Sequence, residues 1–585
     1  DGNTPVLGLP TVGDNTTLID LEADQNVTIS GKNQTVGNNS TEDQIFGTIT
    51  LTDDAGAERT VTLDNTARLS NAATGTADQD GILTVNNLIM NTGTGTSATR
   101  DVIIDSAGER NVANAVLSFS GRDVETLQLT GTQELTFNVN QIADQATAAG
   151  VNASTALDID ASELEGDLNL AVNGLMIGNW GTATGLTDTI VGTDGDNDTL
   201  MVYGAQGNSP VTVTDFESVQ FGSVNTTLFG DWATAALDAT GTFDAQNVSA
   251  NNFVIVDDAI ADTALTLNNL SSGATVNMGD ANTDVNGAAV NSQNFDDTIT
   301  LDSGAVAGTP AASVNVNYLS NIVGGETHIL NIGTVVAGPG NDTGGFQTVN
   351  IDIAHAANLT AANGNSTGAD TRTLNLTLTE DARELNITGG ADNSGSRDTL
   401  TFNAANELPN SLTKIDLSGY EGNVTLTMEQ GNPVAAAAET DVRFIMSEDD
   451  ATITLSNKDG SLAAVTGVNH NSVFEFTGAK TTTDISVWTI VNFVGAGQAG
   501  ASIDNITRFD VSDLGITSFD QIVIDIANDA NGVALAAGVY SIRSEAQDDA
   551  STTTGTNQNT WEIQVDGLIG LLAAGDITAD NFIFA

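Results

Sequence analysis

Ile159-Asp160-Ala161-Ser162-Glu163-Leu164-Glu165-Gly166-Asp167-Leu168-Asn169-Leu170 aligns without gaps on Ile415-Asp416-Leu417-Ser418-Gly419-Tyr420-Glu421-Gly422-Asn423-Val424-Thr425-Leu426. Six of the twelve positions are identical, and a weaker echo begins at Leu237-Asp238-Ala239-Thr240-Gly241. Each copy reads as apolar alternation, a Gly-marked turn, then alternation again. Alternation buries one side of a strand and exposes the other. Strand–turn–strand units that recur along a chain stack as a solenoid, each coil covering the apolar face of the last.

Outward from this unit the same vocabulary continues. Thr126–Thr130 (TLQLT), Thr348–Ile353 (TVNIDI), Thr373–Leu378 (TLNLTL) and Asn423–Met428 (NVTLTM) are short alternating runs closed by Gly, Asn or Asp. Leu330, Val349, Leu374 and Ile415 open comparable strands at unequal spacings, so the solenoid is expected to be irregular. A string of β-sandwiches is the competing arrangement. Helical patterning is scarce, and Asn140–Gly150 (NQIADQATAAG) is its best candidate. The expected fold is all-β: an irregular parallel β-solenoid with terminal β-sandwich-like domains. A Pro/Ala stretch, GNPVAAAAE at 431–439, suggests a linker. The expected division is an N-terminal β domain at 1–120, the solenoid at 121–430 and a C-terminal β domain at 441–585.

Charge narrows the function. The chain has 585 residues, 76 Asp plus Glu and 15 Lys plus Arg, a formal charge of −61. Nucleic-acid binding needs a basic face, and adsorption to anionic lipid needs the same. Cysteine is absent, which removes disulfides and thiolate metal sites. No apolar run reaches the roughly 18 residues of a membrane span. Asp1 opens the chain without Met or a basic, apolar leader, which leaves open a removed leader, a fragment, or export read from elsewhere.

Catalytic chemistry is poorly supplied. His328, His355 and His470 have no metal-ligand spacing, and no nucleophile elbow, P-loop or zinc-protease motif occurs. No catalytic residue is expected. Hard-cation chemistry is better represented, because Ca²⁺ takes six to eight oxygens from carboxylates, amides and carbonyls in turns. Gly192-Thr193-Asp194-Gly195-Asp196-Asn197-Asp198-Thr199-Leu200 alternates Asp194, Asp196 and Asp198, so side chains two apart are expected to converge on one ion. Asp280, Asn282 and Asp284 space oxygens in the same way. Acidic doublets such as Asp449-Asp450 are weaker candidates.

The first of these turns resembles the Gly/Asp nonapeptide of RTX proteins, G-G-x-G-x-D-x-U-x, which winds a β-roll around Ca²⁺. Gly192 and Gly195 match; Thr193 replaces the second Gly, Asn197 takes the acidic place, and Leu200 falls one place late. A stretched second copy runs from Gly389-Gly390 to Leu400 and offers Asp392 and Asp398, with Arg397 between. The C-terminal Ala574–Ala585, with acids before Phe582-Ile583-Phe584, looks like the end of type I secretion substrates. Asp504-Asn505-Ile506-Thr507-Arg508-Phe509-Asp510 resembles a strand of RTX C-terminal domains. Together the segments resemble type I-secreted surface-layer (S-layer) proteins. That resemblance implies a secreted, cell-surface protein that assembles with itself in a Ca²⁺-dependent lattice or filament.

Two other functions compete. A calcium-dependent adhesin or matrix protein would bind cell-surface carbohydrate, with Trp180, Trp232, Trp488 and Trp561 available for stacking. A β-solenoid polysaccharide hydrolase or lyase would need carboxylates beside Arg or Lys in a groove, for which cations are few.

Overall fold

A computed structural model of the chain describes residues 6–7, 16–21, 25–31, 44–53, 58–65, 82–92, 101–108, 113–122, 124–143, 157–174, 188–204, 211–222, 241–257, 264–280, 298–306, 308–319, 327–335, 342–354, 371–390, 399–402, 408–409, 411–430, 442–457, 472–480, 485–493, 496–497, 506–545, 560–567, 573 and 575–585. The chain divides into two compact units, Asp1–Ser271 and Ser272–Ala585. Both are parallel β-solenoids.

In the first unit successive strands up to Ser218–Gly222 alternate between two parallel sheets. One runs from Val6–Leu7 through Arg59–Asn65, Thr126–Gly131 and Asp158–Leu164 to Asn247–Val248. The other includes Ala113–Arg122, Glu134–Ala143, Leu168–Asn173, Thr199–Tyr203 and Ser218–Gly222. Parallel pairing stacks like on like. Val102, Leu127, Ile159, Ile190 and Val213 follow one another in register in one sheet. Phe137, Leu170, Leu200, Val219 and Phe253 do so in the other. All ten side chains are buried. Each full burial contributes roughly 1.5–3 kcal/mol, and a column shares it among neighbouring coils.

The second unit repeats the plan. One sheet runs from Ala274–Asp280 to Phe582–Ile583, and its core column is Val314, Val349, Leu385, Ile415, Phe444, Phe474, Phe509 and Phe582. The rings of Phe444 and Phe474 stack at 4.5 Å. The other sheet runs from Thr298–Leu301 to Trp561–Gly567, where the pattern changes. Val539–Ser544 pairs antiparallel with that strand, and Ile522–Asp525 pairs antiparallel with Val539–Ser544. This hairpin covers the edge that the last parallel strand would otherwise present. Outward faces carry polar ladders: Asn350 donates to Asn315, and Asn386 to Asn350, each at 2.8 Å.

The opening repeat is a bulged corner. In both copies the second-position Asp, Asp160 or Asp416, accepts the backbone N–H of the Ser two residues on, Ser162 or Ser418, at 3.0 Å. The register shifts at that point in each strand, as a β-bulge requires. Phe509-Asp510-Val511-Ser512 is a third instance, with Ser512 donating to Asp510 at 3.2 Å.

Three expectations change. The ladders cross the boundaries set at 120/121 and 430/441: Ala113–Arg122 pairs with Glu134–Ala143, and Lys414–Tyr420 with Val442–Met446. The longer apolar strands beyond 441 are further coils, with an aromatic core. Residues 140–143 are strand rather than helix, because Gln141, Ile142 and Ala143 find partners in Ser120, Gly121 and Arg122. Irregular spacing also has a cause. Register partners lie 19 residues apart at Thr199 and Ser218 but 43 apart at Thr62 and Asp105. The strands are fixed in register, and the corners vary in length.

Candidate metal centre

The turn Gly192–Asp198 joins strand Thr189–Val191 of one sheet to Thr199–Tyr203 of the other, so it is a solenoid corner. Asp194 and Asp196 are exposed on its tip, whereas Asp198 is fully buried. The Asp198 carboxylate is taken up by the backbone. One oxygen accepts from Leu168 N–H at 2.8 Å, on the preceding coil, and the other from Thr193 N–H at 2.6 Å. Asp198 N–H donates to the Glu217 carboxylate at 2.5 Å, on the following coil. Three coils are tied at one residue. Gly192 is needed here because a Cβ would overlap the carbonyl oxygen of Asp215 on the next corner.

In this arrangement the three aspartates do not form one ligand set. Among the described residues no group of three or more Asp, Glu, His or Cys side chains is placed to hold an ion. The turn breaks the alternation: Asp198, at its end, faces inward, while Asp194 and Asp196 stay in solvent. Asp280 ends strand Ala274–Asp280, and its side chain lies outside the described residues. So do Asn282, Asp284, Asp392 and Asp398. Gly389 and Gly390, which open the second RTX-like stretch, are described: both have positive φ, 90° and 86°. They end strand Glu384–Gly389, and a Cβ on Gly390 would strike the Tyr420 ring.

The role of Asp198 recurs at Asp188 and Asp342, which the spacing did not single out, and at Asp450 of the acidic doublet. Asp188 accepts from Leu157 N–H at 2.8 Å, 31 residues away. Asp342 accepts from Glu380 N–H at 2.7 Å across 38 residues, and Asp450 from Val487 N–H at 2.9 Å across 37. In each case a corner carboxylate caps the backbone of an adjoining coil. Charge-assisted bonds of this kind are roughly twice as strong as neutral ones. The Asp449-Asp450 doublet meets a cation of the chain itself: the buried Lys480 ammonium lies 3.5 Å from Asp449 and 3.1 Å from Asp450.

A second concentration of acid lies in the other unit, at the corner joining Thr371–Leu378 to Glu384–Gly389. Burial pushes the Asp381 carboxyl above its ordinary value; the Arg383 guanidinium opposes this, and the charges of Asp342 and Glu380 add to it. Sequence spacing does not reveal this group, because its members come from neighbouring coils.

The remaining sequence signals resolve into packing. Ile506 and Phe509 of the RTX-like strand are core residues, and the ring of Phe582 in the C-terminal tail packs tilted against Phe509, with centroids 5.7 Å apart. Trp488 and Trp561 are buried at 0% and 1% exposure, which withdraws both from sugar stacking; Trp180 and Trp232 lie outside the described residues. No protein-family model, curated protein or solved structure matches the chain.

Proposed function

We propose that the chain is a structural, self-assembling extracellular protein, a subunit of an S-layer-like lattice or filament. One observation carries this reading. The polar groups of corners and outer faces are spent on cohesion between coils, as at Asp188, Asp198, Asp342 and Asp450 and along Asn315, Asn350 and Asn386. A stack held this way suits a load-bearing element. The resemblance of the C-terminal segment to type I secretion substrates supports a place at the cell surface.

Calcium enters as the ion that lets acidic copies meet. Two unit charges about 10 Å apart in water repel by only about 0.4 kcal/mol, but dozens of them oppose close packing. Exposed corner acids such as Asp194 and Asp196 supply the surface that a divalent ion would neutralise. Inside a cell, where free Ca²⁺ is scarce, such a chain stays dispersed; outside it assembles.

The test is direct. Protein purified in EGTA is brought to millimolar Ca²⁺ and followed by light scattering and electron microscopy. Ordered sheets or filaments are expected, and persistent monomers at every Ca²⁺ concentration would overturn the proposal.

A further inference from the structure

Three corners of the second unit stack on one another: the described residues 302–306 with 308–310, 333–335 with 342–345, and 379–383 lie between strands of the two sheets. They are stitched by backbone bonds, Ser303 N–H to Gly344 O at 2.9 Å and Gly333 N–H to Leu301 O at 2.7 Å. Gly344 and Gly345 sit in the middle layer. A Cβ on Gly345 would overlap the Thr379 hydroxyl and lie 3.1 Å from Asp381 Oδ2. Two side-chain oxygens therefore converge over the same bare stretch of backbone.

Thr379 is the unusual member. It is 1% exposed, its methyl packs over Gly333, and its Oγ1 has no hydrogen-bond partner. A buried hydroxyl left unsatisfied costs about 1–3 kcal/mol. Asp342, itself buried, stands on the adjoining layer and accepts the Glu380 N–H at 2.7 Å. Burial raises the Asp381 carboxyl, and the like charges of Asp342 and Glu380 add to this. Arg383 is the nearby cation, but its Nη1 donates to the carbonyls of Glu380, Ala382 and Ser411.

We propose that Asp342, Thr379 and Asp381 form a calcium site at this stacked corner. The donors are all hard oxygens, two of them anionic, which selects an alkaline-earth ion over a transition metal. The set is two carboxylates and a hydroxyl, with water and carbonyls completing the coordination shell. An ion here would satisfy the Thr379 hydroxyl, offset the repulsion around Asp381 and tie adjoining coils. The proposal rests on the calcium reading above, and gives it a location in residues that no RTX-like spacing marks.

Isothermal titration of the EGTA-dialysed full chain with CaCl2 tests it. A tight binding component is expected in the wild type. Asp381→Asn and Thr379→Val should each weaken it by on the order of tenfold or more, the scale seen when groups around a metal are changed. Glu163→Gln, at an exposed strand position of the other unit, should leave it unchanged. Hydrogen exchange on the wild type needs no variant: Ca²⁺ should slow the amides of 342–345 and 379–383 in particular. Equal titrations in all proteins, or protection that bypasses these amides, would overturn the site. Assembly is read separately by microscopy: an intact site without assembly would count against the lattice alone.

Discussion

The carboxylate of Asp198 accepts the backbone N–H of Leu168, 30 residues earlier in the chain, at 2.8 Å, with the carboxylate fully buried. A side chain that reads as a metal ligand is thereby a strut between coils. Its second oxygen holds Thr193 N–H, so removing it strands two buried donors at once.

Asp198→Ala should therefore loosen this corner by about 3 kcal/mol, since each buried donor left unpaired costs about 1–3 kcal/mol. In a long stacked protein the local measure is hydrogen exchange rather than a single unfolding midpoint. The Leu168 amide should exchange on the order of a hundredfold faster. Asp198→Asn should recover part of this, because an amide oxygen can still accept one bond. An unchanged Leu168 rate in Asp198→Ala would sink the strut.

Phe474→Ala should cost about 3–5 kcal/mol in the second unit. The ring stacks on Phe444 at 4.5 Å and lies 6.1 Å from Phe509, so the loss falls on both adjoining coils. Faster exchange is expected in Val442–Met446 and Arg508–Asp510. A loss confined to Ser472–Phe476 would show that the column does not transmit packing.

Lys480→Met should be costlier than its conservative shape suggests. It leaves the Asp449 carboxylate, 2% exposed, without the ammonium 3.5 Å away. Breaking a buried pair from one side typically costs about 3–5 kcal/mol, whereas removing both charges is often neutral. Chemical unfolding should show Lys480→Met well below the double variant Asp449→Leu with Lys480→Met. Equal losses would mean that the ion pair is not what the corner needs.

Acid should weaken the coil at Asp416. Burial alone would raise this carboxyl, but the Ser418 hydroxyl, the Lys414 ammonium 3.0 Å away and the Ser418 N–H together hold it below its ordinary value. A depressed folded value adds stability above the unfolded value, about 3.9, and loses it as pH falls through the folded one. Lys414→Met should shrink that acid-side slope between about pH 2 and 5. The amide exchange of Lys414–Tyr420, followed against pH, provides the check.

Asp381 should behave with the opposite sign. Its folded value is raised, so its stabilising contribution is complete below the unfolded value and fades as pH rises through the folded one. In EGTA, Asp381→Asn should be more stable than wild type at pH 7, and the difference should vanish near pH 3. Wild-type stability matching the variant at neutral pH would show that burial of this carboxyl, with the charges of Asp342 and Glu380, is without effect.

The sequence discloses the coil better than the stack. The Asp-x-Ser of Ile159–Leu170 and Ile415–Leu426 is legible because a bulge needs the same short-range bond wherever it occurs. Alternating runs were enough to show which side of each strand is buried. The lateral order is not visible, because Leu200 meets Val219 while Leu330 meets Leu376, and nothing in either strand counts the intervening residues. Gly192 and Asp198 match a calcium motif, yet close packing and backbone capping require the same residue types. Thr379 gives no signal in sequence at all; its oxygen stands out only once Gly345 of the preceding coil lies over it.

The variable span between register partners, 19 residues at Thr199 and Ser218 and 43 at Thr62 and Asp105, has an evolutionary and practical side. Lengthening a closed loop costs only about 0.6 kcal/mol per doubling. Corners can then gain or lose segments while every ladder pair survives, so two descendants of one ancestor can share a stack and hardly a gapless stretch. The same latitude makes the corners natural places to graft a peptide, provided the insertion spares struts such as Asp188, Asp198, Asp342 and Asp450.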